Sequence, residues 1–476
     1  MLALVQLVCV LCTLSDQPNV VVILADDLGY GDIGVYNKQS GIPTPHLDEL
    51  AREGMRFTDS HSPSAVCTPT RYGLLTGRYA WRTRLNRWVL NGSSRVLIDD
   101  DRATIAQSLS DAGYITSGVG KWHLGLGRSE PTDYSKPFDA GPLTVGFDHF
   151  EGVPASLDME PYVWVVDDSL EAPPTKEIAR SEHRRKGGGG FWRKGRISEG
   201  FDLDDVLPKI GRVACRMIDE MASDERPFFL YVPLTAPHTP WLPDEEHRDR
   251  SKAGYYGDFV AMVDSVVGEI VDCLDEAGVS DETLIIFTSD NGAHWPVRDI
   301  DSFGHAANHT WRGQKADIHE GGHRVPFIVR WPGRVSPGSV SDETICHTDV
   351  FPTVLAAANI DLPAGAAPDG VNLIAVLEQD GAPTDQRDGI VHHSGDGMFA
   401  IRKGRWKLIE GRGSGGFTSP ARMKPEEVEV AVQLYDLDAD PSESRNVAVA
   451  HPAVVEELTM ILEKIRRSEE SVQRGE

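Results

Sequence analysis

Four short runs of β-branched and aromatic residues, each closed by polar ones, limit this chain to few architectures. Asn19 to Ala25 (NVVVILA) ends in Asp26 and Asp27, and Tyr114 to Val119 stops just before Gly120, Lys121, Trp122 and His123. Phe228 to Leu234 (FFLYVPL) leads to Pro237 and His238, and Thr283 to Ser289 (TLIIFTS) ends in Asp290 and Asn291. Strands this continuously apolar are buried on both faces, the pattern of a largely parallel sheet covered by helices. Periodicity between them agrees: Phe259, Met262, Val263, Val266, Ile270 and Leu274 recur at helical spacing, with Gly278 as the expected C-cap. The predicted fold class is therefore α/β, a large mixed, mostly parallel sheet flanked by helices. Open α/β sheets bind ligands outside the carboxyl ends of their strands, so the four polar termini mark the candidate site.

From about Gly389 the pattern changes to short alternating runs, MFAIRKGRWKLI and QLYDL, separated by Gly-rich turns, and then to a helical stretch from Pro452 to Arg467. These predict a smaller antiparallel sheet followed by a C-terminal helix, which divides the chain into residues 16–388 and 389–476.

The 476 residues carry 47 Lys plus Arg against 73 Asp plus Glu, a net charge of −26. A body this acidic repels a polyanion, so no nucleic-acid partner is expected. The apolar leader Leu2 to Leu14 is too short to span a bilayer and has the length of a signal-peptide core, with Ser15 and Asp16 at its polar end. Residues 1–15 are read as a signal peptide, which places the protein in the periplasm, outside the cell or in another non-cytoplasmic compartment. The six cysteines, at 9, 12, 67, 215, 273 and 346, are too few and too scattered for a disulfide scaffold, and none sits in a CxxC pair beside a candidate His.

The most informative stretch is Ser62 to Arg78, SPSAVCTPTRYGLLTGR, in which Cys67, Pro69 and Arg71 form CxPxR ahead of Leu75, Thr76, Gly77 and Arg78. Here the chain resembles the sulfatase family, whose enzymes share an α/β fold with alkaline phosphatases. The resemblance extends from Asn19 to about Asn446 and includes the TDVFPT run (Thr348 to Thr353) and LYDLDADPSESRN near the C-terminus. It implies that a formylglycine-generating enzyme oxidises Cys67 to formylglycine. It also implies that Asp26, Asp27, Asp290 and Asn291, with the modified Cys67 side chain, hold one metal ion. Lys121 and His123 in GKWHLG, His238 in APHTP and Lys315 in WRGQKADIHEGG match the remaining active-site groups. Three carboxylates and an amide oxygen form an all-oxygen set that suits a hard cation, Ca²⁺ rather than Zn²⁺.

A sulfate ester is an anion that repels nucleophiles. A catalyst must therefore neutralise its oxygens, activate a nucleophile and protonate the leaving alcohol. In the mechanism the resemblance implies, one hydroxyl of hydrated formylglycine, polarised by the metal and Arg71, attacks sulfur. His238 protonates the leaving oxygen, and His123 takes the proton of the second hydroxyl so that sulfate departs. Lys121 and Lys315 contact the sulfate oxygens and the nucleophile as point charges. The expected substrate is an aryl or carbohydrate sulfate. A phosphodiesterase or phosphonate monoester hydrolase with the same motif is the alternative, and a silent binding protein of the same fold is a third reading.

Five histidines, His294, His305, His309, His319 and His323, cluster near Lys315 without common zinc spacing, so surface or supporting roles are expected, with His294 the candidate for substrate contact. The segment Lys176 to Arg196 carries eight Lys or Arg against Glu177 and Glu182. Its four consecutive glycines predict a mobile loop, either a solvated insertion whose charge balances acidic neighbours or a loop whose Arg184, Arg185 and Trp192 meet a polyanionic sugar.

Overall fold

The computed structural model describes residues 17–182, 191–379, 381–383, 385–424 and 430–474, so the expected leader lies outside the described residues. The chain enters through β1 (Asn19–Asp26), followed by α1 (Pro45–Glu53), β2 (Met55–Phe57), α2 (Cys67–Thr76), β3 (Ile115–Lys121) and β4 (His149–Val153). Two short strands, β5 (Val165–Val166) and β6 (Ser169–Leu170), precede α3 (Val206–Ala222), β7 (Phe228–Pro237), α4 (Gly254–Glu276), β8 (Thr283–Ser289), β9 (Phe327–Arg330) and β10 (Ser339–Ser341). They assemble into one sheet of ten strands in the order β10-β2-β9-β8-β1-β7-β3-β4-β5-β6. The run from β8 to β4 is parallel, and β9 pairs antiparallel with both β8 and β2.

The continuous apolar run of β1 has a direct structural cause. Val20, Val22 and Leu24 point into one apolar layer, with Tyr72 and Leu75 of α2, while Val21, Ile23 and Ala25 point into the other, with α3 and α4. Side chains alternate along a strand, and both faces here are covered, so neither register position can be polar. The helix read from Phe259 to Leu274 is the middle of α4. It ends at Glu276 with Ala277 as its cap, and Gly278 (φ 72°) takes the left-handed turn just beyond.

Cys215 on α3 and Cys273 on α4 form a disulfide with Cα atoms 5.5 Å apart, a cross-link that the scattered cysteine spacing did not reveal. The described flanks of the basic segment, residues 176–182 and 191–197, are paired strands and not loop. Lys176–Ile178 pairs antiparallel with Gly195–Ile197, and Ser181–Glu182 pairs with Phe191–Trp192. The flanks thus pair with each other in two short antiparallel ladders. Arg184, Arg185 and the four glycines fall outside the described residues.

Toward the C-terminus β11 (Ile390–His393), β12 (Phe399–Lys403), β13 (Trp406–Ile409) and β14 (Gln433–Asp436) form an antiparallel sheet in chain order. Helix α5 (Pro452–Arg467) lays Leu458, Leu462 and Ile465 against Ile401, Leu408 and Leu434 of that sheet. The sheet is tied to the larger layer by backbone bonds from Gly395 N–H to Ala316 O (2.8 Å) and from Ile318 N–H to Ser414 O (2.7 Å). Buried Lys407 adds ion pairs to Glu320 (3.0 Å) and Glu443 (2.9 Å).

Candidate active site

Strands β8, β1, β7 and β3 are neighbours and parallel, so their carboxyl ends open at one edge and the polar residues after them meet. Asp26 ends β1 and Asp27 follows it, Asp290 and Asn291 follow β8, His238 follows β7, and Lys121 ends β3. Aiming these side chains into one space strains the backbone. Asp27 (φ 65°), His123 (φ 55°) and Ala316 (φ 73°), next to Lys315, are all left-handed. That conformation costs a non-glycine residue about 1 kcal/mol or more and persists where the surroundings hold it.

Cys67 is the first residue of α2, after extended Val66. Pro69 fits in the first turn, where a backbone N–H has no helical partner to lose. Gly77 (φ 61°) stops the helix in the left-handed conformation, with its N–H on Gly73 O at 2.8 Å. Cys67 and Arg71 stand at i and i+4, so both lie on the helix face turned to the strand ends. Arg71 is fully buried there, donating from Nε and Nη2 to Asp290 Oδ2 (3.1 and 2.7 Å) and from Nη1 to Lys121 O (2.9 Å).

Two lysines complete the floor. Lys121 Nζ donates to Asp26 Oδ2 at 2.6 Å, and Lys315 Nζ lies 2.8 Å from Asp27 Oδ2 and 3.6 Å from Cys67 Sγ. Burial opposes charge on Asp26 and Asp27, yet Lys121 beside the first and Lys315 beside the second, each with His238, outweigh it and hold both carboxyls below the usual range. At Asp290 burial and the charge of Asp26 prevail and push the carboxyl up. Burial also pushes the Cys67 thiol far up, against the pull of Lys121 and Lys315.

The oxygen-rich side of this floor fits a hard cation. Asp26 Oδ1 and Asn291 Oδ1 are buried without a hydrogen-bond partner among the described residues. Asp27 ties the two strand ends together, its N–H donating to Asp290 Oδ1 (3.1 Å) and its Oδ1 accepting from Asn291 Nδ2 (2.7 Å). Asp26, Asp27, Cys67 and His238 bring ligand-type atoms within 4.8 Å of one another. A cation would satisfy the orphaned oxygens at the cost of desolvation already met in folding.

The two histidines present opposite nitrogens. His123 donates from Nε2 to Leu90 O (2.7 Å), which leaves Nδ1 as a buried acceptor without a partner among the described residues. Burial, aided by Lys121 and Arg71, holds this ring neutral far below the ordinary histidine range. His238 donates from Nδ1 to Thr239 O (2.7 Å), so its Nε2 faces the floor, 3.8 Å from Asp27 Oδ2.

Above the floor opens a cavity of about 310 Å³, with Asp27, His238 and Lys315 in its base. Trp241, His294 and Phe417 line one part of the wall, with His294 packed on Phe417 at 5.1 Å between ring centres. Phe417 is 47% exposed and stacks on Trp88, 38% exposed, at 5.8 Å. The basic hairpin supplies Phe191 and Arg193, and Arg193 pairs with Asp158 on the same wall. Trp192 turns away, its Nε1 donating to Ala179 O (2.9 Å). Sequence patterns carried no signal for Asp158, Trp241 or Phe417; Phe191 and Arg193 fall in the basic segment Lys176 to Arg196, whose charge drew notice but whose alternation does not say which face meets a cavity.

Most of the clustered histidines are interior and not on the surface. His305 Nε2 pairs with Asp32 Oδ1 at 2.7 Å, and His319 and His323 are buried beneath the C-terminal sheet. Nitrogens of His61, His323 and His392 also approach within 4.8 Å. A metal is disfavoured there. The Lys407 ammonium donates to His323 Nε2 (2.9 Å), and the rings of His323 and His392 stack face to face at 4.0 Å, so their lone pairs share no common direction.

Comparison with known proteins gives a consistent result. The family model described as Sulfatase matches residues 18–360, and one described as N-sulphoglucosamine sulphohydrolase, C-terminal, matches residues 307–469. An N-acetylgalactosamine-6-O-sulfatase of Bacteroides thetaiotaomicron is 35% identical over 95% of this chain and 94% of its own length. Human arylsulfatase A is 33% identical over 93% of this chain and 87% of its own. A solved structure from work on glycosaminoglycan metabolism by Bacteroides thetaiotaomicron superposes with a TM-score of 0.84 at 33% identity, covering 95% of this chain and all (100%) of that one.

Proposed function

The chain belongs to the sulfatase family and is a sulfuric ester hydrolase, and from that premise we propose that it releases sulfate from a sugar of a sulfated glycan. One observation carries the reading: Lys315 stands in the base of the cavity 3.6 Å from Cys67, with Arg71 and Lys121 buried behind it, and Phe191, Trp241 and Phe417 are on the walls. A cationic base suits the sulfate, and aromatic walls suit the apolar faces of a sugar ring. Similarity along nearly the whole chain to an N-acetylgalactosamine-6-O-sulfatase supports the same class of substrate.

The geometry supports a role for each residue. Lys121 and Lys315 would neutralise sulfate oxygens, and Arg71 would hold Asp290 and the nucleophile region in place. His238, with Nε2 toward the cavity, would protonate the leaving sugar oxygen. His123 would receive a proton at Nδ1, the nitrogen without a partner among the described residues. His294, on the wall beside Phe417, would contact the sugar. Asp26, Asp27, Asp290 and Asn291, with the Cys67 side chain, would hold a divalent cation, Ca²⁺ by donor chemistry, which supplies positive charge to the sulfate oxygens. Oxidised to formylglycine by a formylglycine-generating enzyme, Cys67 would supply an oxygen nucleophile that a buried thiol does not.

Residues 16–388 would then form the catalytic unit and 389–476 a C-terminal unit completing its edge. The Cys215–Cys273 bridge supports an oxidising, non-cytoplasmic location. Among the described residues no helix is long and apolar enough to cross a membrane.

The test is sulfate release by purified, matured enzyme from sulfated hexosamines, set against matched phosphate esters. Faster turnover of the sugar sulfates is expected. Preference for the phosphate esters, or for simple aryl sulfates over every sulfated sugar, would overturn the reading.

A further inference from the structure

A second cavity, about 690 Å³, opens at the seam between the large sheet layer and the C-terminal sheet. Arg78, Trp81, Arg82 and Arg87 line one side, and Phe399 and Arg466 line the other. Four arginines gather around one opening of a chain that carries −26 overall. Two are already answered by carboxylates: Arg82 grips Asp369 through Nε and Nη2 (2.9 and 2.8 Å), and Arg466 reaches Glu410 (3.1 Å). The other two are not. Arg78 donates only to neutral oxygens, Tyr72 Oη and Arg82 O (3.2 Å each), and Arg87, exposed, pairs with no carboxylate among the described residues. Of the acids on the lining, Asp396 is held by Arg422, which leaves Glu469.

The rings give the opening a shape. Trp81 and Phe399 meet edge to face at 5.6 Å, with the Arg82 guanidinium 4.5 Å over the first and that of Arg466 4.4 Å over the second. The stacked guanidinia are already engaged, Arg82 by Asp369 and the carbonyls of Ser468 and Ile465 and Arg466 by Glu410, so they fix the shape of the wall and leave ligand contact to Arg78 and Arg87. The volume is within the range of about 300 to 1,000 Å³ common to small-ligand sites.

Its location ties it to the catalytic cavity. Asp396 and Gly397 on its lining continue into Gly395, whose N–H donates to Ala316 O (2.8 Å), next to Lys315. A Cβ on Gly395 would stand 2.8 Å from the Trp88 ring and 3.0 Å from Ala316 Cβ, so the glycine lets these pieces pack closely. Trp88 follows Arg87 directly and stacks on Phe417 of the catalytic wall. Trp88 and Gly395 thus connect Arg87 and Gly397 on the lining of this cavity with Phe417 and Lys315 on the lining of the catalytic one. We propose that the arginine-lined cavity is a second anion subsite, which takes a sulfate or carboxylate on a neighbouring sugar of the same glycan chain that presents its ester to the catalytic cavity. The identity of the occupant rests on the glycan reading above. Two tethered contacts raise affinity for a chain over a single sugar, because the second engages at high effective concentration.

The test uses Cys67→Ala protein, which binds without turnover, titrated calorimetrically with chondroitin 6-sulfate oligosaccharides of two, four and six sugars and with inorganic sulfate. Affinity is expected to rise from the disaccharide to the hexasaccharide. Arg87→Glu should remove that gain, lowering hexasaccharide affinity roughly tenfold, while Arg87→Lys keeps most of it. Arg87→Gln and the thermal midpoint of each variant separate loss of charge from loss of folding. Affinity independent of length, a change under about twofold in Arg87→Glu, or inorganic sulfate alone accounting for all binding would overturn the subsite. Sulfate release from the same oligosaccharides by matured enzyme reads the proposed function separately. Arg87-dependent binding without release would sink the substrate reading and sustain the subsite, and release with length-independent binding would do the reverse.

Discussion

The Cys215–Cys273 bridge joins α3 to α4 across 58 residues of chain that include β7 and its His238 terminus. Replacing both cysteines by serine frees the unfolded chain from a closed loop of that length. Loop closure of 58 residues corresponds in the chain-entropy account to about 4 kcal/mol at 25 °C. The native state should lose little of its own, since both cysteines are half-buried on the outer side of helices that already pack through Val213, Met217, Val266 and Ile270. With an unfolding entropy of about 2 cal/mol/K per residue, a chain of this size gains about 1 kcal/mol/K, so the midpoint should fall by about 4 °C. Scanning calorimetry of wild type, of Cys215→Ser/Cys273→Ser and of wild type after reduction measures it. The reduced protein and the variant should coincide. A shift below about 1 °C, or two free thiols at these positions in protein made in an oxidising compartment, would refute the account.

Other consequences are open to direct measurement. Mass spectrometry of the peptide ending at Arg71 should find formylglycine at position 67 in protein produced with the maturing enzyme, and full activity with an unmodified thiol would exclude that chemistry. Asp26→Ala and Asp290→Ala should each lose the divalent cation on metal analysis, and stoichiometric Ca²⁺ in both would displace these residues as ligands. His238→Ala should cost about 10²- to 10⁴-fold on sugar sulfates and far less on esters of acidic phenols, which depart without a proton; equal losses on both would remove it as the acid. Burial raises the Asp264 carboxyl from 3.8 to about 6 against the N–H groups of Leu47 and His46. The fold therefore favours its neutral form, and stability present below pH 3.8 is lost as pH rises through about 6. At about 1.4 kcal/mol per pH unit this amounts to about 3 kcal/mol, so Asp264→Asn should gain that much on wild type between pH 4 and 7.5 in urea denaturation; a constant difference would show the carboxyl to be unperturbed.

Local patterns in the sequence determine the pieces. The run from Val20 to Ala25 has to be a strand covered on both faces, because no register position offers water a polar side chain. The Cys67 to Gly77 stretch carries its own helix start, a first-turn proline and a left-handed stop, which is why the spacing of Cys67 and Arg71 is enough to put them on one helix face. Tertiary structure alone decides which pieces are neighbours. Strand order β8-β1-β7-β3 brings Asp27 to Asp290 and Asn291 over more than 260 residues of sequence separation. Nothing local encodes that pairing, because the helices that separate the strands determine their order. The same holds for Cys215 and Cys273, which face each other only through the packing of α3 on α4. It holds again for Arg193, which lies beyond the paired strands Ser181–Glu182 and Phe191–Trp192 and meets Asp158 from a distant part of the chain. Periodicity is a property of one element and can be read along the chain, whereas cavities are enclosed by several elements and exist only after they pack.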